Sequence, residues 1–281
     1  MSNYLRKEES RSPMLKAERL DRTLKLLEKN RVITVDELVD TLNISEATAR
    51  RDLELLAKKK LLIRTRGGAI SIDSNNALTA KITSSVADTN VEAKKHIGNH
   101  ALQFVRPGCT IGLTGGSTIR LFAEQLADWA DEQLGSDTIL TAVTNSIETA
   151  SRLARSTRIK VLLTGGELNG RSFELTGPFA SHVLNQLALD LSFIGVNGID
   201  TNGPGTTDEY EAIVNRLMVE RSLTSYILAD HTKFGKRSFS VLRTTGKSPH
   251  IITDSPVEAS LAQALQTMDY EILQAAEVAY E

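Results

Sequence analysis

Apolar residues recur at helical spacing near the start of the chain. Leu20, Leu24 and Leu27 stand at positions i, i+4 and i+7, which predicts a first helix that ends near Asn30. The segment VDELVDTL that follows has an apolar stripe of its own and predicts a second helix, whose first turn the Thr34 side chain can cap. This part of the chain therefore predicts two short amphipathic helices.

A tight turn separates the second helix from a third. Ser45 can cap the segment EATARRDLELLAKKK, in which Ala49, Leu53 and Leu56 fall on one face. At 100° per residue, the opposite face of this helix carries Ala47, Thr48, Arg50 and Arg51. A major-groove recognition helix needs such a face, because guanidinium groups read guanine and small residues permit close approach to base edges.

Two short apolar runs follow the third helix and predict a β-hairpin. Residues 61–64 and 69–72 flank the turn TRGG, and Arg64 and Arg66 lie near its tip. Such a basic wing would press its cations against DNA phosphates or into the minor groove. Three helices and a basic hairpin together predict a winged helix-turn-helix.

The composition changes after the hairpin. The segment IDSNNALTAKITSSVADTN is rich in Ser, Asn, Thr and Asp and poor in large apolar residues, which is typical of a linker. We therefore divide the 281 residues into an N-terminal extension at residues 1–14, a winged helix-turn-helix at 15–72, a linker at 73–90 and a larger C-terminal domain at 91–281.

From residue 91 onward, short β-branched runs alternate with amphipathic stretches, which predicts an α/β domain. Five of these runs end in polar loops, with the sequences GGST, TNS, TGGEL, NGID and DHTKFG. Ligands in parallel α/β sheets bind outside the carboxyl ends of the strands, so we expect these loops to surround one small, hydroxylated, anionic ligand. The last stretch, residues 270–281, fits either a strand or a helix.

The first of these loops has the composition of an anion site. A strand, a glycine-rich turn and a helix N-terminus meet at Gly115, Gly116, Ser117 and Thr118. Exposed N–H groups, the helix dipole and two hydroxyls all favour phosphate there. The turn matches neither GxxxxGK[ST] nor GxGxxG, so neither nucleotide hydrolysis nor dinucleotide binding is indicated. A Gly-Gly turn is also compatible with a purely structural role.

Charge divides the chain in the same place. Residues 1–75 hold 16 Lys and Arg against 12 Asp and Glu, a net charge of +4, whereas the rest of the chain carries −6. This separation of charge indicates that the positive N-terminal segment approaches a polyanion, whereas the negative remainder has a different task. The one cysteine, Cys109, fits a reducing compartment, and no apolar run approaches the roughly 18 residues of a membrane span. We therefore expect a cytoplasmic protein that does not contact the membrane.

The segment SEATARRDLELL followed by IRTRGGA resembles the N-terminal signature of the DeoR family of bacterial transcriptional repressors. The resemblance continues through GLTGGST, VTNS, TGGELNGRSFELTGP, GVNGID, GPGTTDEYEA, LADHTKFGKRSF and IITD, in the family's order. It implies a C-terminal domain similar to ribose-5-phosphate isomerase and related sugar-phosphate enzymes, and an effector that is a phosphorylated sugar or polyol. Lys60 departs from the family, which usually turns into the wing with Gly.

The resemblance also implies which side chains bind the effector. The turn at residues 115–118 would cradle the phosphate, with Lys233 as its charged partner. The residues expected to face hydroxyls are Asn145, Ser146, Glu167, Asp200 and Glu209. Asn197 belongs to the same set. The family usually has Asp at this position, so the Asn of this chain lacks the negative charge of the family's residue.

Several of these residues have a second interpretation. Glu167 and Glu209 could instead complement helix dipoles, and Lys233 could be an ordinary surface residue. Arg171 would either contact the ligand or pair with Glu174. The five histidines lack metal-ligand spacing, so no zinc site is indicated.

Three classes of function compete. A sugar-phosphate isomerase or deaminase would need a positioned base, and the expected position carries Asn197; it would also not need the first domain. A purely architectural DNA-binding protein would not need the large C-terminal domain. A sugar-responsive repressor of carbohydrate genes uses both domains, so we predict a regulator that is not an enzyme and has no cofactor.

The predicted partners follow from this interpretation. They are double-stranded operator DNA, a phosphorylated sugar or polyol as effector, and further copies of the chain in a dimer or tetramer. The residues expected at the DNA are Thr34, Ser45, Ala47, Thr48, Arg50, Arg51, Arg64 and Arg66.

Overall fold

The computed structural model describes residues 16–30, 32–59, 61–65, 67–71, 90–135, 137–246 and 248–275. They fall into two compact units, one within Met1–Ala87 and the other within Asp88–Glu281. The predicted extension at residues 1–14 and nearly all of the predicted linker lie outside the described residues. So do Lys60 and the predicted wing residue Arg66.

The first unit contains the three predicted helices and a small sheet. Its elements are α1 (Lys16–Asn30), β1 (Val32–Thr34), α2 (Val35–Leu42), α3 (Glu46–Lys58), β2 (Leu62–Arg64) and β3 (Gly68–Ser71). The strands are antiparallel in the order β1-β3-β2, so the predicted hairpin is present as β2 and β3. The sequence analysis missed β1, whose Ile33 pairs with Ala69 and is buried.

Both predicted helix caps form. The Thr34 hydroxyl accepts from the Glu37 amide at 3.1 Å, and the Glu37 carboxylate accepts from the Thr34 amide at 2.8 Å, which is a reciprocal capping box. Asn43 ends α2 in the left-handed conformation, with φ of 49°. Ser45 then accepts from the Thr48 amide and begins α3. Local chemistry therefore fixes the turn between the two helices.

An ion pair joins α1 to α3 at the edge of the apolar core. The Arg19 guanidinium donates to both carboxylate oxygens of Asp52, the second at 3.1 Å. Asp52 is buried beside Leu53, and Arg19 is largely covered. A carboxylate taken out of water in this way needs its partner, because the protein interior does not replace the lost hydration. The pair therefore fixes how α1 lies against the recognition helix.

The second unit is built on a seven-stranded parallel sheet within the described residues, in the order β15-β14-β12-β9-β4-β5-β6. The strands of this sheet are β4 (Thr110–Leu113), β5 (Leu140–Thr144), β6 (Ile159–Leu163), β9 (Leu189–Gly195), β12 (Ser222–Leu228), β14 (His250–Thr253) and β15 (Ile272–Gln274). Among the described residues, two small antiparallel sheets accompany it: β7 (Glu167–Leu168) with β8 (Leu175–Thr176), and β10 (Gly198–Asp200), β11 (Gly203–Thr206) and β13 (Ser240–Val241) in the order β10-β11-β13. The undecided last stretch therefore includes a strand, and residues 276–281 lie outside the described part.

Helices cover both faces of this sheet. They are α4 (Val91–Leu102), α5 (Ser117–Gln133), α6 (Ile147–Leu153), α7 (Gly177–Asn185), α8 (Glu209–Glu220) and α9 (Ala259–Gln266), with a short 3-10 helix at His231–Lys233. One core, around Phe122 and Phe193, lies under α4 and α5. The other, around Val214 and Met218, lies under α7 and α8. Two cores on opposite faces account for the continuous apolar strands. None of the described helices is long and apolar enough to cross a membrane.

The order of the strands reverses at the centre of the sheet. From β4 the chain proceeds outward through β5 to β6, and it then returns to place β9 on the other side of β4. Neighbouring strands whose connections leave in opposite directions open a crevice at their carboxyl ends. The β4–β9 boundary is therefore where the fold itself favours a ligand site.

We expect Asp52→Ala to lower the free energy of unfolding of the first unit by about 2 kcal/mol, because it leaves the Arg19 charge partly buried without its partner. Urea denaturation followed by circular dichroism measures the change. Asp40→Ala, at an exposed position of α2, is the control and should change stability by less than about 0.5 kcal/mol. Equal effects of the two substitutions would contradict a structural role for the ion pair.

Candidate DNA-binding surface and ligand site

The recognition helix α3 presents the face that the sequence predicts. Ala47, Arg50 and Arg51 are exposed, and Thr48 is half-buried with its hydroxyl 2.9 Å from that of Ser45. Thr34 and Ser45 cap helices, so their side chains position α2 and α3. The small and cationic residues therefore lie together at the start of one helix.

The two arginines of this face differ in their surroundings. The Arg50 guanidinium forms an ion pair with Glu46, one turn earlier in the helix, at 2.6 Å. The backbone carbonyl of Arg50 accepts a hydrogen bond from the Arg64 side chain at 2.9 Å. That second contact ties the wing strand β2 to the recognition helix. Among the described residues, the Arg51 guanidinium has no hydrogen-bond or ion-pair partner. Arg51 is therefore the better placed of the two for a new contact.

A cavity of about 260 Å³ lies at the carboxyl ends of β4 and β9. Residues from both strand ends, from the β7–β8 hairpin and from helix α8 line it, among them Gly115, Gly116, Arg171, Glu174, Asn197 and Glu211. Its position is the crevice that the reversal of strand order predicts. The cavity has room for a small ligand that would face both strand ends.

Glycine is required at the two strand ends because the backbones approach closely. A Cβ on Gly195 would lie 2.3 Å from the carbonyl oxygen of Gly115, and a Cβ on Gly115 would lie 2.4 Å from Oε1 of Glu174. Gly116 has φ of 100° and precedes α5 without a side-chain cap. The first N–H groups of α5 are therefore not engaged by a capping side chain and are suited to bind an anion.

Two buried carboxylates stand beside this turn. Burial, together with the charge of Glu211, raises the pKa of Glu174 from its ordinary value of 4.5 to about 8, although the hydrogen bond from Asn145 at 3.0 Å opposes the shift. Burial also raises the pKa of Glu211, which accepts from Asn169 at 3.1 Å. Near neutral pH the Glu174 carboxyl is therefore mainly protonated, which reduces its repulsion of an anion.

The structure brings some of the predicted ligand residues together. Gly115, Gly116, Arg171 and Asn197 line the cavity, and Asn145 lies behind it against Glu174. Ser117 and Thr118 form the first turn of α5, and Ser146 caps α6. Arg171 forms no ion pair with Glu174 within the described part of the chain, so that alternative was wrong.

Other predicted residues do not line this cavity. Glu167 lies in strand β7, so the suggestion that it complements a helix dipole was wrong. The Asp200 carboxylate accepts from the Asn202 amide in the turn after β10, and Glu209 is exposed at the start of α8. Lys233 lies in the 3-10 helix that follows Asp230. Ligand contacts of these four residues stay predictions.

Eight of the described cavity-lining residues were not among the predicted set, and three of them carry a buried carboxyl or carboxamide group. Glu174, Glu211 and Asn215 are each buried, and all line the cavity. One signal was available, because Glu174 stands between Phe173 and Leu175 and a charged residue inside an apolar run is expensive to bury without a function. Glu211 and Asn215 give no such signal, since polar residues are ordinary in an amphipathic helix.

Each of the two units matches the model of a known protein family. Residues 19–75 match the DeoR-like helix-turn-helix domain, and residues 89–255 match the DeoR C-terminal sensor domain. The two matches include the recognition helix and all the cavity residues named above. They agree with the resemblance noted in the sequence.

The names of two similar proteins refer to the regulation of sugar-related genes. The chain is 32% identical over 237 residues to the L-fucose operon activator of Haemophilus influenzae, covering 84% of this chain and 91% of that protein. It is 30% identical over 246 residues to the lactose phosphotransferase system repressor of Staphylococcus epidermidis, covering 86% and 93%. The ribose 5-phosphate isomerase A of Methanocaldococcus jannaschii shares 18% identity over 53% of this chain and 56% of that chain, with a TM-score of 0.37.

We expect Arg51→Ala to weaken specific DNA binding by roughly 1–3 kcal/mol, the range for a side chain that reads a base. Titration of the full chain against the DNA upstream of its own gene, at fixed salt, measures the effect. Arg22→Ala removes an exposed arginine of α1 and is the matched control. Unchanged affinity in Arg51→Ala would remove this residue from the recognition set.

We expect the stability of the second unit to fall as pH rises from about 5 to 8. In that interval folded Glu174 holds a proton that the unfolded chain has released, so the loss approaches about 1.4 kcal/mol per pH unit. Glu174→Gln should flatten this dependence, as followed by urea denaturation at several pH values. Glu209→Gln, at an exposed carboxylate, is the control. A Glu174→Gln variant that keeps the wild-type pH dependence would refute the assignment.

Proposed function

Because the chain belongs to the DeoR family of transcriptional regulators, we propose that it is a repressor whose affinity for operator DNA is set by a phosphorylated sugar or polyol. The effector would bind in the cavity beside Gly115 and Gly116. The observation that carries the proposal is the open N-terminus of α5 at the point where the strand order reverses. The names of two relatives, which refer to L-fucose and to lactose, support the same class of effector.

The phosphate would bind at the glycine turn. Backbone N–H groups at a helix N-terminus and the helix dipole favour a dianion, and Arg171 on the cavity wall adds a cation. With Glu174 protonated, this end of the cavity repels phosphate less than two ionised carboxylates would. A free sugar lacks the group that the turn binds, so it should be a much poorer effector.

The first unit would bind the operator. Its recognition helix carries Arg51 with no partner among the described residues, and the wing strand is tied to that helix through Arg64. One such module makes few base contacts, so two or more copies on a symmetric site would provide useful affinity. The proposal therefore includes a dimer or tetramer, with the arrangement of the modules changed by the effector.

Enzymatic turnover is not part of the proposal. The absence of a base at Asn197 is by itself a weak argument, because Glu174 and Glu211 stand in the same cavity. Two relatives at 30% identity or more over most of the chain are named as an activator and a repressor, not as enzymes. The direction of regulation differs between those names, and we propose repression that the effector relieves.

We expect one phosphorylated sugar or polyol, but not its free form, to weaken DNA binding by about 1–3 kcal/mol, the usual range of allosteric coupling. The measurement is a titration of the full chain against the DNA upstream of its own gene, with and without a panel of sugar phosphates. Gly116→Ala strains a residue at φ of 100° and should abolish the response while DNA affinity is retained.

Gly135→Ala is the matched control for this experiment, because Gly135 has open space around it and no unusual φ. It should leave both DNA affinity and the response unchanged. An effector that strengthens DNA binding would reverse the proposed direction of regulation. DNA binding that no panel member alters would reject the effector class, and turnover of a sugar phosphate without specific DNA binding would replace the proposal with an enzyme.

A further inference from the structure

Asn215 lines the cavity and carries an unused hydrogen-bond acceptor. It lies on α8, is 2% exposed and lines the cavity wall. Its Nδ2 donates to the carbonyl oxygen of Gly195 at 3.3 Å, whereas its Oδ1 is fully buried and has no donor in the described part of the chain. The Gly195 carbonyl accepts only, so it fixes the orientation of the amide and leaves Oδ1 for another partner.

Two buried carboxyl groups line the same cavity. Glu174 accepts from Asn145, and Glu211 accepts from Asn169, so each carboxyl has a partner that holds it in place. Oδ1 of Asn145, behind Glu174, is likewise buried without a donor. Two elements thus contribute side-chain oxygen atoms to the cavity wall: the β7–β8 hairpin and helix α8.

Hydrogen-bond acceptors that have no donor within the protein favour a ligand that carries hydrogen-bond donors. A buried acceptor without a donor is unfavourable, and a ligand group that donates to it removes that cost. The phosphate itself has almost no donors near neutral pH, so it does not suit this region. Hydroxyl and amino groups on the carbon skeleton of the effector do carry donors, so they suit this region.

We propose that Asn215 and Glu211 form a donor-recognising subsite that selects the carbon skeleton of the effector, through hydrogen bonds accepted from its hydroxyl or amino groups. The inference rests on the proposed function, since it requires a phosphorylated effector at the glycine turn. It assigns two tasks to two ends of one cavity: the turn holds the anion, and Asn215 reads the skeleton.

The test compares binding of inorganic phosphate with binding of a panel of aldose, ketose, polyol and 2-amino-sugar phosphates to the full chain, by isothermal titration calorimetry. In Asn215→Leu the tightest-binding sugar phosphate should lose about tenfold or more in affinity, because Oδ1 is removed. Inorganic phosphate should change by less than about twofold. Glucose 6-phosphate and glucosamine 6-phosphate compare a hydroxyl with an amino group at the same carbon.

Asn215→Ala provides a second substitution in case leucine does not fit, and retained phosphate binding shows that the cavity is intact. Asn185→Ala, at an exposed asparagine of the same domain, is the matched control and should bind every ligand as the wild type does. If phosphate and the sugar phosphate weaken by the same factor, or if neither changes, the subsite assignment is overturned. If the wild type binds neither, the proposed function fails, and the subsite with it.

Discussion

The close approach of two backbones at the centre of the sheet is the constraint on which the ligand site depends. Without side chains at Gly115 and Gly195, the ends of β4 and β9 come together and the Glu174 carboxyl packs against the turn. Any larger residue at Gly195 would overlap the Gly115 carbonyl and push the turn away from its neighbour. The cavity, the exposed helix N-terminus and the buried acid all follow from that contact.

This arrangement places a group that attracts negative charge next to groups that repel it. A helix N-terminus attracts negative charge, whereas two buried carboxylates repel it. Protonation of Glu174 reconciles them, because a neutral carboxyl can lie beside an anion and still accept or donate a hydrogen bond. On the proposed function, the protonation state of the cavity wall would help to select the ligand, together with the shape of the cavity.

The sequence predicted the parts of the structure that local chemistry determines. Thr34 and Ser45 cap their helices as expected, and Ala49 and Leu53 face the core, since caps and helical periodicity act over a few residues. Strand β1 was missed because three residues are too few to show a period.

The ligand residues were harder to predict. Adjacency to a strand end identified Gly115 and Asn197, but Glu174 reaches the cavity through a hairpin that folds back, and Asn215 from the middle of a helix. Glu167, Asp200, Glu209 and Lys233 follow strands in sequence without lining the cavity. Such placements depend on long-range packing, which no local pattern contains.

The hydrogen bond from Arg64 to the Arg50 carbonyl has a consequence for how operators are distinguished. On the proposed function, the recognition helix and the wing both contact the operator, and this hydrogen bond would oppose any change in their spacing from one duplex to the next. The duplex must then deform to fit, and the energy of deformation depends on base sequence even where no side chain touches a base. Groove width and local flexibility of the operator would thereby contribute to its selection.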